Sequence, residues 1–253
     1  VIPTRHGVVA AEAEDAESGN QVFEPGSQVS FDFSVTYNTK YVWRGINVVD
    51  GSVLQPSATV SYRDLSLNVW GNRDLTGKNG QRGDFTEYDV TLDYSLWSWR
   101  NLWLNVGTIY YKFPHSDAPS TNELYASVGM DTILSPSLTV YQDVDEADGT
   151  YASFSVGHEI ADAVSFSETA GLDIALTASL GYGSSNYNDF YYSGVDSSGF
   201  TDVMMGISFP IRITENFVLT PAVNYSELLD SDIRDSMSDD SNVWGGLTAS
   251  YSF

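Results

Sequence analysis

The sequence predicts an all-β fold, a transmembrane antiparallel up-and-down β-barrel of about 12 strands. Three observations point to it. Apolar and polar residues alternate strictly in segment after segment, tight turns alternate with long polar loops, and large aromatics gather near strand ends.

Residues 1–27 are acidic and poor in large apolar side chains, as in the run Ala10–Glu17. They are expected to form an N-terminal extension (a tail, plug or docking arm) ahead of a barrel spanning 28–253. The opening VIPTRHGVVAAEAEDAESG reads as a mature end left by cleavage of an export signal. After Gly26 the pattern changes to period two. In VSFDFSVTY, Val29, Phe31, Phe33, Val35 and Tyr37 alternate with Ser30, Asp32, Ser34 and Thr36. Such alternation marks a strand with one greasy and one wet face. EYDVTLDY repeats it, with Tyr88, Val90, Leu92 and Tyr94 set against Glu87, Asp89, Thr91 and Asp93.

The same reading places strands near 29–46, 54–62, 65–75, 84–95, 102–113, 122–131, 137–146, 150–160, 172–183, 200–211, 217–228 and 242–253. Most have the length a tilted strand needs to cross a bilayer, about 9–11 residues. Tight connections are expected at 63–64, 95–101, 132–136 and 212–216, with a longer one at 161–171. Long loops lie between them, which is the asymmetry of outer-membrane barrels. The pairs Tyr41/Trp43, Trp97/Trp99, Tyr110/Tyr111 and Tyr191/Tyr192 read as interfacial aromatics. The closing NVWGGLTASYSF gives the lipid one parity, Val243, Gly245, Leu247, Ala249, Tyr251 and Phe253, and pairs with the first strand to shut the cylinder.

Composition narrows the function. Lys and Arg number 11 against 34 Asp and Glu, a formal net charge of −23, so nucleic acid is excluded as a partner. Cysteine is absent, which rules out thiol nucleophiles, disulfides and Cys-based zinc sites. No window of 18 apolar residues offers a transmembrane helix. A secreted antiparallel β-sandwich would alternate equally well. It would, however, have to cover a greasy face on every strand, and it gives no reason for aromatics at the strand ends.

The stretch TKYVWRGINVVDGSVLQPSATVSYRDLSLNVWG places an aromatic before Arg-Gly and then a Gln/Pro strand start. With FTEYDVTLDYSL, GTIYYKFPHSDAPSTNELYASVGMD and SPSLTVYQDVDEADGTYASFSVGHEI, it resembles the TorF-type family of porins over most of 29–253. Phe113 stands where that family more often has Tyr, and Gln55-Pro56 is a looser version of its strand start. The resemblance implies a bacterial outer-membrane location and, for the terminal aromatic, an address read by the barrel-assembly machinery.

Parity predicts what lines the interior. Asp32, Lys40 and Arg44 on the first strand, Asn68, the ladder Glu87/Asp89/Asp93, then Glu123, Asp143, Asp173 and Asp202 should point inward. Lys40 and Arg44 are expected to pair with the Glu87/Asp89/Asp93 ladder. In one reading these groups line a channel for small hydrophilic solutes and favour cations. In the other they fill a closed or plugged barrel that serves as a structural or interaction protein of the envelope. Arg44 is either a constriction residue or a structural arginine satisfying carboxylates near the outer rim.

Some twelve-stranded barrels are hydrolases, so the histidines matter. His6 falls in the tail, His115 in a loop and His158 on the lipid parity, none beside a nucleophile. No Gly-x-Ser-x-Gly, P-loop or His-Glu-x-x-His motif occurs, and an enzyme is not expected. No cofactor is expected either. Asp230, Asp232, Asp235, Asp239 and Asp240 make an acidic loop that is a candidate for surface Ca²⁺. The expected partners are outer-membrane lipid and lipopolysaccharide, and the aromatic loop 186–194 offers a contact for a second copy or another envelope protein.

Overall fold

The computed structural model describes residues 29–78, 82–116, 118–167 and 169–253. The extension 1–27 and His6 therefore lie outside the described residues. The chain runs through β1 (Val29–Asn38), a small hairpin of β2 (Tyr41–Trp43) and β3 (Ile46–Val49), β4 (Val53–Tyr62), β5 (Leu65–Asp74) and β6 (Phe85–Trp99). It continues through β7 (Leu102–Lys112), β8 (Thr121–Met130), β9 (Ser137–Asp143), β10 (Thr150–Ser165) and β11 (Gly171–Gly183). Helix α1 (Ser185–Tyr191) precedes β12 (Gly199–Ser208), β13 (Ile211–Arg212) and β14 (Phe217–Leu228). Helix α2 (Ser231–Ser236) and β15 (Ser241–Ser252) complete the order.

Each strand of the large sheet pairs antiparallel with its neighbours, and β15 returns to pair with β1, so the sheet closes. Among the described residues the sheet has 13 strands, but β12 and β13 are one stave interrupted at Phe209-Pro210, because both pair with β11 and β14. Proline has no N–H to give the ladder, which accounts for the break. The result is the expected twelve-stranded antiparallel up-and-down barrel.

The outward parity is the expected one. Phe31, Val90, Leu176 and Leu247 are all among the exposed large hydrophobics. Two belts of exposed aromatics flank the aliphatic band: Tyr37, Tyr88, Tyr110, Tyr182 and Phe200 toward the long loops, and Tyr62, Trp97, Trp99, Tyr251 and Phe253 toward the short turns. An apolar outer wall with aromatic rims suits a bilayer and not water. At the short-turn end Arg63 and Arg100 adopt left-handed backbone (φ 54° and 58°) and lie over the rings of Tyr62 and Trp99 at 5.2 and 4.5 Å.

Several expectations need correcting. The first strand stops at Asn38 and not near 46, because the chain turns inward to build the β2–β3 hairpin. Tyr41, Tyr111 and Tyr192 are buried and Trp43 and Tyr191 half-buried, so these five are not interfacial aromatics. The turn expected at 95–101 shrinks to Arg100-Asn101, since β6 keeps pairing with β7 past a bulge between Ser95 and Trp97. The long turn at 161–171 shrinks likewise, because β10 continues to Ser165 opposite Gly171.

Candidate functional site

The site lies at the end of the barrel that carries the long loops. Its centre is the tip of the β2–β3 hairpin, where Arg44 and Gly45 turn with φ of 46° and 81°. Glycine is required at the second position on two grounds. Its φ is left-handed, and a Cβ there would stand 2.7 Å from Leu228 Cδ2 and 2.8 Å from Asp202 Cβ. The tip thus nests against β12 and β14. Tyr41 and Val49 pack with Val53 on one side of the hairpin, while Val42 packs with Met204 and Trp244 on the other. Apolar residues on both faces of so short a hairpin make sense only for a segment with protein on either side.

Arg44 is 8% exposed and spans the interior to Glu123 on β8, which is fully buried. Nη1 donates to Oε1 and Nη2 to Oε2, each at 2.8 Å, the two-pronged geometry that matches guanidinium to carboxylate. Nη1 also donates to the Tyr187 hydroxyl at 3.0 Å. The guanidinium lies 4.4 Å from the ring centre of Tyr141, 4.3 Å from that of Tyr151 and 4.6 Å from that of Trp43. Burial pulls the Arg44 pKa down, but Glu123, Tyr187 and Tyr111 together hold it well above the ordinary value. Arg44 therefore stays charged.

Helix α1 closes over the pair. Ser184 caps it, and Tyr187 and Tyr191 on the helix, with Tyr192 just past its end, each reach the cluster. Tyr187 meets Arg44, the Tyr191 hydroxyl donates to Asp143 Oδ2 at 2.9 Å, and the Tyr192 hydroxyl donates to the Arg44 carbonyl at 2.8 Å. Tyr111 donates to Glu123 Oε2 at 2.8 Å, and Tyr151 to Asp202 Oδ1 at 3.0 Å. Hairpin, helix and barrel wall are thereby joined in one hydrogen-bonded cluster across the mouth.

The rest of the wall divides in two. Along β1, β4 and β5 the inward Ser30, Asp32, Ser34, Thr36, Ser57, Thr59, Ser66 and Asn68 are half-exposed. Small, part-exposed polar groups line this flank, although the Ser30 Oγ itself is buried. Nearer the mouth an amide chain runs from Asn38 to Gln55 at 2.8 Å, from Gln55 to Asn72 at 3.0 Å and from Asn72 to Thr86 at 2.8 Å.

The expected interior residues Asp32, Asn68, Glu87, Asp89, Asp93, Glu123, Asp143, Asp173 and Asp202 all lie on the inner parity of their strands. Their partners differ from those expected. Lys40 sits in the loop, 3.0 Å from Asp50 and 3.1 Å from Asn242, and not on the first strand. Arg44 meets Glu123. Neither pairs with the Glu87/Asp89/Asp93 ladder, because the hairpin carries Arg44 past it to the opposite wall. Asp93 instead accepts from the Tyr125 hydroxyl at 2.6 Å, and Asp173 pairs with Arg212. Lys78 joins Lys40 on Asp50 at 2.8 Å, and the two lysines hold the Asp50 carboxyl down at about 2.

In the acidic loop, Asp230 caps α2 by accepting from the amides of Asp232 and Ile233. Asp239 accepts from Asn47 at 2.9 Å. Asp232 and Asp235, three residues apart on α2, line a cleft of about 450 Å³ together with Ser193–Ser197. Among the described residues no three His, Cys, Asp or Glu side chains gather as a metal site, and Asp240 joins none. His158 points outward, its Nδ1 2.7 Å from the Ile133 carbonyl oxygen, and His115 sits in a loop. The loop 186–194, read as a contact surface, turns mostly inward as α1 and leaves Phe190 exposed.

Sequence reasoning placed Tyr141 inward, missed the tyrosines 151 and 187, and took 111 and 192 for interfacial aromatics. Tyr141 and Tyr151 share inward parity with Asp143 and Ser153, and Ser184 followed by aromatics at 187, 191 and 192 has helical spacing. Both signals were available.

No family model matches the chain, and no curated protein sequence matches it. Solved structures do. The KdgM porin superposes with a TM-score of 0.54 at 10% identity, covering 88% of this chain and 99% of its own. The NanC porin gives 0.52 at 10%, covering 87% and 98%. LpxR from Salmonella typhimurium gives 0.54 at 8%, covering 88% and 99%. At such identities the likeness is one of architecture: this chain folds as a transmembrane antiparallel barrel of the kind seen in the KdgM and NanC porins.

Proposed function

We propose that the protein is a bacterial outer-membrane channel of the TorF porin type, passing small hydrophilic solutes without chemistry and narrowed at its long-loop mouth by the β2–β3 hairpin. The observation that carries this reading is the half-exposed Ser/Thr/Asn wall of β1, β4 and β5 inside an apolar cylinder. A closed structural barrel has no need of a wetted interior. Carboxylates outnumber bases along the inner parity, which supports a preference for cations. Lipid and lipopolysaccharide would surround the outer wall, and the acidic loop at 230–240 would meet divalent cations at the surface.

The plugged barrel is the second reading, and one observation favours it. The Arg44 cluster ties the hairpin, α1 and β8 together across the mouth. Single-channel recording in planar bilayers separates the two. The channel reading expects unitary steps from the intact protein, larger in a variant with 41–49 replaced by a short Gly/Ser linker. Silence from both proteins, each shown folded by heat-modifiable gel migration, would leave the plugged barrel.

A further inference from the structure

The wall of β6 carries two inward carboxylates that the Arg44 cluster does not use. Glu87 and Asp89 are adjacent positions on the inner face, 6% and 4% exposed, while Tyr88 and Val90 between and beyond them face outward. Residues two apart on one strand stand about 7 Å apart, so the two side chains share one patch of wall. Among the described residues neither forms an ion pair, and Asp89 Oδ1 is buried with no hydrogen-bond partner.

Two side chains that face the pair in register are engaged elsewhere. Asn72 stands directly across from Glu87 on β5, but its amide nitrogen donates to Thr86 and its oxygen accepts from Gln55. Tyr111 stands directly across from Asp89 on β7, but its hydroxyl proton goes to Glu123. Arg44 gives both terminal nitrogens to Glu123. A buried carboxylate oxygen without a donor is costly, and in native proteins such an atom is commonly explained by an ion or water.

We propose that Glu87 and Asp89 form a binding site for a hard divalent cation, Ca²⁺ in the first instance, on the inner wall beside the hairpin. The chemistry fits. Ca²⁺ takes 6–8 oxygen ligands and accepts carboxylates together with several waters. The inference rests on the reading of a water-filled lumen, and it places a cation next to the Arg44–Glu123 latch.

Terbium luminescence tests it without any current measurement, so its outcome is independent of whether the barrel conducts. Tb³⁺ substitutes for Ca²⁺ and is sensitised by nearby indole and phenol rings. Trp70 and Tyr111 flank Asp89 in register on the two adjacent strands. Detergent-folded protein should give saturable Tb³⁺ emission on excitation of these rings, displaced by Ca²⁺. The variant Glu87→Gln/Asp89→Asn should lose at least tenfold in affinity while retaining heat-modifiable migration. A second variant, with Asp230, Asp232, Asp235, Asp239 and Asp240 all changed to Asn, should keep the signal. Emission unchanged in the first variant, lost only in the second, or absent from the intact protein would each overturn the proposal. If Glu87→Gln/Asp89→Asn fails to fold, Asp89→Asn alone takes its place under the same criteria.

Discussion

Arg44 and Glu123 lie 79 positions apart in sequence and meet through two parallel hydrogen bonds of 2.8 Å inside the barrel. One belongs to a loop that could have stayed in solvent, the other to the wall. The pair therefore fixes the hairpin across the mouth, and its burial decides what happens when one member is removed.

Arg44→Ala should leave Glu123 buried and uncompensated, a change of about 3–5 kcal/mol for such pairs. Lysine should not restore the loss, since a point charge cannot make both bonds or lie flat against Tyr141 and Tyr151. Replacing both residues, as in Arg44→Met/Glu123→Leu, should recover most of the stability. Urea unfolding in detergent, followed by tryptophan fluorescence, measures all three variants against the parent. If Arg44→Ala unfolds at the same urea concentration as the parent, the pair does not hold the hairpin.

Gly45→Ala probes the same seat by shape. The added methyl meets Leu228 and Asp202 at under 3 Å, and the left-handed backbone adds about 1–2 kcal/mol. The expected outcome is a hairpin released into solvent from an intact barrel. Limited proteolysis should then cut within 39–52 at least tenfold faster than in the parent, with the heat-modifiable barrel band unchanged. Equal rates would show that the tip has room to spare.

The wall was far more legible in the sequence than the mouth, for a physical reason. Phe31, Val90 and Leu247 announce their face because the bilayer rewards every second residue along a strand. The hairpin breaks that rule. Tyr41, Val42 and Trp43 are apolar on consecutive positions because protein lies on both sides of them, and within a barrel pattern this looks like more strand. The inward parity of Glu123 was readable, but its partner was not. Pairing across the interior depends on where a loop folds, and no local period encodes that. The left-handed turn at Arg44-Gly45 was the one local sign that the strand ends early.

The rim offers a pH dependence. Asp50 bridges Lys40 and Lys78, and its carboxyl is lowered from the ordinary 3.8 to about 2. A depressed carboxylate stabilises the folded arrangement fully above its unfolded value and loses that contribution as pH falls through the folded one. Loosening of the loop should therefore fall between about pH 4 and pH 2 and be absent at neutral pH. The pair is exposed, so salt should weaken it further. Hydrogen exchange over residues 39–52 would show faster exchange in this window for the parent and no such step in Asp50→Asn. A step of equal size in both proteins would assign the change to another group.

The seam supplies the last test. Phe31 donates its amide to the Phe253 carbonyl at 2.8 Å and receives the Phe253 amide at 2.9 Å, so the backbone closes here whatever the side chains are. The Phe253 ring adds a second layer, stacked on Phe31 at 5.3 Å and on Phe33 at 6.0 Å along the outer wall. Phe253→Ala keeps the ladder and removes only the rings' contact, about 0.5–1.5 kcal/mol per aromatic pair. The variant should fold to the same barrel with a lower urea midpoint and an unchanged slope, because the surface exposed on unfolding hardly changes. Phe253→Tyr should restore the midpoint, since the stacked ring is kept. An alanine variant as stable as the parent would mean that the backbone bonds close the seam alone; a changed slope would mean that the ring also orders the neighbouring strand ends.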